Sequence, residues 1–224
     1  MTHDTKDVQF SLGDLNQVKE MWDFFVGKNC KSLIGKPKLF FIEASRGDSS
    51  DYGADLDDQS IPKTADLLVV SSTTEGHSFD NETDGSRFIH ALCDEFKTNL
   101  QDDLLNKLTR ASFVKQSNNS SKPDLNVGTQ LANIESTLTK LIFFKSDNSS
   151  IITDDIHYNF SNSKRGIALI FNNESFEDQP RRTGAIKDCD NLIAVLEGLN
   201  FEVRDYMDLK LEQIKRILYE GKSL

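Results

Sequence analysis

Ser45 lies in the run Ile42-Glu43-Ala44-Ser45-Arg46-Gly47, directly after an apolar stretch that reads as a buried strand. A serine hydroxyl at that position could attack a carbonyl only with a strong, oriented base beside it. His3, 42 residues upstream, is the histidine that precedes it, and no third residue that would hold His3 in place is identifiable. Cys30, Cys93 and Cys189 are widely spaced and odd in number, neither a disulfide framework nor a zinc pattern. They are expected to be buried, reduced thiols. His77, His90 and His157 complete no metal-ligand set, so no metal or cofactor is implied.

The bulk properties narrow the field further. A chain of 224 residues with 37% hydrophobic content and 15 Phe can bury a sizeable single core. A formal net charge of -10 argues against nucleic acid or an anionic membrane as partner, because both demand clustered Lys and Arg. No apolar run reaches transmembrane length, and Met1-Thr2-His3-Asp4 opens no secretory signal, so a cytoplasmic protein is expected.

Four short apolar runs, 38–42, 65–70, 141–144 and 166–171, read as strands covered on both faces, with a weaker fifth at 201–204. Helical stripes alternate with them: Val18, Met21, Trp22 and Phe25; Phe88, Ile89, Leu92, Cys93 and Phe96; Leu104, Leu105 and Leu108; Leu192, Ile193 and Leu196; Leu211, Ile214, Ile217 and Leu218. Strands alternating with helices predict an α/β sandwich around a mostly parallel sheet. Residues 48–60, with five Asp, and 116–130 read as loops.

Glu43-Ala44-Ser45-Arg46-Gly47 resembles the caspase nucleophile signature Q-A-C-[RQG]-G, with serine in place of cysteine. Thr2-His3-Asp4 resembles the family's T/S-H-G motif, with Asp4 in place of glycine. Ile61-Pro62, Ala65-Asp66, Asp84-Gly85-Ser86, Phe88-Ile89 and Leu138-Thr139-Lys140-Leu141 resemble a caspase small subunit. Arg165-Gly166-Ile167-Ala168-Leu169-Ile170-Phe171-Asn172, Arg182-Thr183-Gly184, Asp188, Asp190-Asn191-Leu192 and Leu199-Asn200-Phe201-Glu202-Val203 resemble the start of a large subunit. The chain is thus similar to the caspase family (peptidase C14), with an insect effector-caspase flavour.

The resemblance implies a caspase-like three-layer sandwich in permuted order. Residues 1–47 would be the second half of the large subunit, 48–60 the intersubunit linker and 61–147 the small subunit. Residues 148–157 would form a junction, and 158–224 the first half of the large subunit. The family's interior strand leading into the histidine loop is expected to be missing. Fusion of two tandem copies, a natural permutation or engineering would each give this order. Fusion is favoured, because losing an interior strand leaves backbone groups unpaired.

By resemblance, His3 and Ser45 fall at the catalytic positions, and Asp4 falls in the oxyanion region, where a carboxylate would oppose developing negative charge. Arg182, Glu43 and Asp80 fall in the pocket that clasps a substrate aspartate, and His77, Phe79 and Arg87 at positions of neighbouring substrate contacts. Glu43 stands where the family has Gln and Asp80 where it has Arg. One positive and two negative side chains then face a carboxylate; two unit charges 4 Å apart interact by up to about 4 kcal/mol at an effective dielectric of about 20. Arg182 is expected to pair internally with Glu43 or Asp80. Asp55 and Asp58 are candidate processing sites.

These departures imply a catalytically inactive caspase homologue, a decoy or regulator that binds an active caspase paralogue or an adaptor in apoptosis. Dimerisation through a final strand between Leu138 and Phe144 is the expected route. The alternatives are a cysteine-type endopeptidase with weak or altered activity after Asp, or a non-functional fragment.

Overall fold

The computed structural model describes residues 21–26, 29–45, 65–74, 85–98, 101–112, 131–144, 156–160, 162–176 and 181–221. Strand β1 (Lys38–Ser45) pairs in parallel with β2 (Leu67–Thr74), in register Phe40↔Val69 and Glu43↔Ser72. β3 (Leu131–Ser136) adds antiparallel to the far edge of β2. A second sheet pairs β4 (Ile167–Asn172) in parallel with β5 (Glu202–Met207). The helices are α1 (Arg87–Lys97), α2 (Leu104–Ser112), α3 (Ala185–Gly198) and α4 (Leu211–Glu220).

Strand alternation sorts the apolar side chains into two layers. Leu68 and Val70, with Leu39 and Phe41, pack on Phe88, Leu92, Phe96, Leu104 and Leu108 of α1 and α2, and on Val195 of α3. Leu67, Val69 and Ile42, with Phe40, pack on Ile214 and Leu218 of α4 and on Trp22 and Phe25. Leu169 and Phe171 of β4 join this second layer, so both sheets lie under the same helix. No ladder joins the two sheets among the described residues.

The strand expected at 141–144 is not one. Leu141 makes an isolated parallel bridge with His157, and the backbone beyond it bonds elsewhere: Ile142 N–H donates to Asp103 Oδ1, and Leu104 N–H donates to the Ile142 carbonyl. Its apolar residues serve as plugs. Ile142 is fully buried, and the Phe144 ring meets Phe96 and Phe201 edge to face, with centroids 5.4 and 6.0 Å apart. The last strand of the first sheet is instead β3. Its Asn133 and Glu135 face solvent while Ala132 and Ile134 pack inward, the half-buried pattern of an antiparallel edge. Of the stripe that begins at Val18, residues 21–23 are helical, and Val18 lies outside the described residues.

All three cysteines are free and buried, as expected, and burial pushes the Cys93 thiol up to about 11. No helix among the described residues is long and apolar enough to cross a membrane. Phe144→Ala should lower unfolding stability by about 3–5 kcal/mol, because a buried ring is lost from a packed core. Leu141→Ala, at a side chain 39% exposed, should cost less than about 1 kcal/mol. Urea denaturation of the two variants distinguishes a core plug from a strand residue.

Candidate functional site

The carboxyl end of β1 meets the N-termini of α1 and α3. Ser86 caps α1: its hydroxyl accepts from Ile89 N–H at 3.4 Å and donates to Glu43 Oε1 at 2.8 Å. Its own backbone N–H donates to Asp188 Oδ1 at 2.8 Å. Asp188 lies in the first turn of α3 and pairs through Oδ2 with Arg182 Nη2 at 2.9 Å. Carboxylates are favoured there because the first-turn N–H groups point at them. Among the described residues the partner of Arg182 is therefore Asp188 rather than Glu43; Asp80 lies outside the described residues.

Gly85 makes this meeting possible. Its φ of +93° suits glycine, and a Cβ there would stand 2.3 Å from Asp188 Oδ1 and 3.2 Å from His90 Nε2. His90 Nε2 is buried without a hydrogen-bond partner among the described residues.

Glu43 points into the same knot, and burial pushes its carboxyl above the usual carboxylate range. The Ser72 and Ser86 hydroxyls and Arg182 oppose that shift, and Asp188 adds to it. Glu43 Oε2 and the Ser72 hydroxyl opposite it in register are both buried without a geometrically formed hydrogen bond. Each serine hydroxyl can itself donate to the carboxylate, so the serines favour the ionised form while desolvation opposes it.

Ser45 ends β1 in register with Thr74, two residues beyond Glu43. Arg87 is exposed at the start of α1. His3, Asp4, Asp55, Asp58, His77 and Phe79, like Asp80, lie outside the described residues. Glu43 and Arg182 are thus brought to one site, and Ser45 to the end of the strand that carries Glu43. Sequence reasoning gave no role to Ser86, Asp188 or His90 in this knot. The motifs Asp84-Gly85-Ser86 and Arg182-Thr183-Gly184 carried the signal, but the bond that joins them spans 102 positions. No group of three His, Cys, Asp or Glu among the described residues could hold a metal ion.

Two outcomes test this description. Gly85→Ala should cost about 2–4 kcal/mol, combining a positive-φ penalty with displacement of the Asp188 carboxyl. For Glu43, a folded pKa above the unfolded value of about 4.3 means the native state holds the extra proton. Its favourable contribution is complete below the unfolded pKa and is lost as pH rises through the folded one. Glu43→Gln should therefore gain stability relative to the parent as pH rises above the unfolded value of about 4.3. A difference in midpoint that is flat with pH would show Glu43 to be an ordinary carboxylate.

Comparison with known proteins agrees with these motifs. The Caspase domain (Peptidase_C14) family model matches residues 2–143 and 165–222. Caspase-3 of Bos taurus is 34% identical over 157 residues, 64% of this chain and 57% of that protein. Caspase drICE of Drosophila melanogaster is 35% identical over 157 residues, 62% of this chain and 44% of that protein. Among solved structures, caspase-1 from Spodoptera frugiperda is similar at 36% identity and a TM-score of 0.42, covering 58% of this chain and 54% of that one. The chain spans about half the length of the curated relatives it matches. With a matching family model over most of its residues, this chain belongs to the caspase family.

Proposed function

We propose that this chain is a catalytically inactive caspase homologue that regulates active caspases, as a decoy, in cytoplasmic apoptotic signalling. The observation that carries the proposal is Ser45 at the nucleophile position. Caspase chemistry uses a thiolate, which is partly ionised near neutral pH and intrinsically nucleophilic. A serine needs an oriented base instead, and no residue to orient His3 is identifiable in the sequence. Two features point the same way. Arg182, the arginine the pocket retains, is already held by Asp188 at 2.9 Å. Asp4 replaces an oxyanion-region glycine, and His77, Arg87 and Asp80 depart from the family's substrate contacts, with Phe79 alone still aromatic.

Regulation requires a surface for an active paralogue or adaptor. The outer edge of β3, which pairs with no other strand among the described residues, is the candidate, displacing the stretch from Leu138 to Phe144, because such an edge can continue a sheet across a two-fold axis. Under this reading residues 48–60 are a linker between large- and small-subunit segments, and Asp55 and Asp58 are its cleavable positions.

The test incubates the protein with Asp-containing fluorogenic peptides, alone and together with an active insect caspase. The expected result is no turnover alone and an altered rate for the active enzyme. Cleavage by the protein alone, or no effect on the partner, would overturn the proposal. Ser45→Cys by itself should not recover activity, staying below the family's rates by at least about 100-fold, because Arg182 remains engaged. Full recovery would place the whole defect in one atom.

A further inference from the structure

In a parallel ladder, alternate residues of a strand turn both their N–H and their C=O to the same neighbour. Lys38 N–H donates to the Asp66 carbonyl at 2.8 Å, which sets the even-numbered residues of β1 toward β2. Glu202 N–H donates to the Gly166 carbonyl at 2.9 Å and Asp208 N–H to the Asn172 carbonyl at 3.0 Å, which sets the even-numbered residues of β4 toward β5. Leu39, Phe41 and Glu43 of β1, and Ile167, Leu169 and Phe171 of β4, therefore turn their backbone groups to the other edge of each strand. No strand pairs with either edge among the described residues. Leu39, Phe41, Leu169 and Phe171 are nonetheless half-buried, and backbone groups on such strands need partners.

Two observations set these edges toward each other. The carboxyl ends of β1 and β4 both meet the N-terminus of α3: Glu43 bonds to Ser86, whose N–H is held by Asp188, and Asn172 Nδ2 donates to the Ala185 carbonyl at 2.8 Å. Among the described strands, β1, β2 and β4 supply side chains to the layer under α4, and β3 and β5 supply none. This makes β3 and β5 the outermost strands and β1 and β4 the inner ones, running the same way. Edges meant for water are usually guarded by charges, proline or bulges. β4, Ile-Ala-Leu-Ile-Phe-Asn, carries no charge or proline, and the Glu43 carboxyl of β1 is turned to Ser86.

The occupant follows from the setting. A strand with parallel neighbours on both sides and helices on both faces is a continuous apolar run. Outside the described residues the chain has no apolar run longer than two, Phe113-Val114 and Ile151-Ile152. Its longer runs are packed in the elements already described, and a second copy offers the same ones. A different protein is left as the source.

We propose that the edge of β1 away from β2 and the edge of β4 away from β5 form the walls of a slot for one extended, uncharged apolar segment of a partner protein, hydrogen-bonded on both sides as a parallel strand. Its length would match the six residues of β4 to the eight of β1. The slot lies across the first sheet from the β3 edge and does not depend on the regulatory reading of the chain.

Amide hydrogen exchange of the full chain, read at single residues, tests this with the synthetic peptide Lys-Lys-Val-Ile-Val-Leu-Val-Ile-Lys-Lys. In the free chain the amides of Leu39, Phe41, Ile167, Leu169 and Phe171 should exchange at least about 10-fold faster than those of Phe40, Ile42, Ala168 and Ile170. Saturating peptide should slow the first set about 10-fold or more and leave β3 unchanged, with binding in the range of about 10–100 μM. The same peptide with Pro for its two central apolar residues keeps the charge but loses a donor on each side, and should bind at least about 10-fold more weakly. Leu169→Pro removes an N–H that faces the slot and none that faces β5, and should weaken the parent peptide to a similar degree, with circular dichroism checking the fold. Five results would overturn the proposal: protection of the edge amides in the free chain, no binding up to about 0.5 mM, protection of β3 in place of β1 and β4, equal binding of the proline peptide, or self-association of the chain that the peptide reverses. The last would give the slot to a second copy.

Discussion

The carboxylate of Asp188 is buried, 4% exposed, and each of its oxygens is committed: one to the Ser86 backbone N–H, the other to Arg182. A charge in that position is tolerable only while both partners stay. Everything at the carboxyl end of the strands is arranged around the demand. Gly85 gives up its side chain so that the carboxyl can approach, α1 begins where Ser86 can turn its N–H inward, and the 181–184 turn brings Arg182 back over the first turn of α3. The same bond fastens residues near position 86 to residues near 188, so it holds the β4–α3–β5 unit to the β1–β2–β3 unit where no ladder does among the described residues.

Much of this was legible in the sequence, and the reasons are specific. β1 and β2 declare themselves as continuous apolar runs because each is packed on two faces, and β4 does so although only Leu169 and Phe171 join a core layer. The α1 stripe of Phe88, Ile89, Leu92, Cys93 and Phe96 is fully buried, as its spacing requires. β3 was missed because an edge strand with one wet face offers only Ala132 and Ile134 inward, too thin a signal. Residues 141–144 were misread because burial and strand conformation leave the same apolar run; which one holds depends on Asp103 capturing the Ile142 N–H from 39 positions away. The candidate site was half legible. Its motifs stood out, but the bonds among Glu43, Ser86 and Asp188 are long-range and have no local signature.

The burial of Glu43 changes how the degenerate pocket should be understood. Formal charges make it hostile to a carboxylate, and burial that raises the Glu43 carboxyl above its usual range softens that repulsion. Under the proposed function, inactivity then rests on the serine at the nucleophile position and on an arginine already held by Asp188.

The division into two sheets has a consequence for how the molecule breathes. β4 and β5 are joined by a single helical crossover of the usual parallel type, so their pairing closes over a short stretch of chain. β1, β2 and β3 pair over a longer one. Shared side-chain layers couple the two sets, but side chains slide and repack more readily than a ladder breaks. Native-state opening should therefore separate the two sheets, with the amides of each exchanging as a separate cooperative block. The knot at Asp188 would be the hinge about which those blocks part.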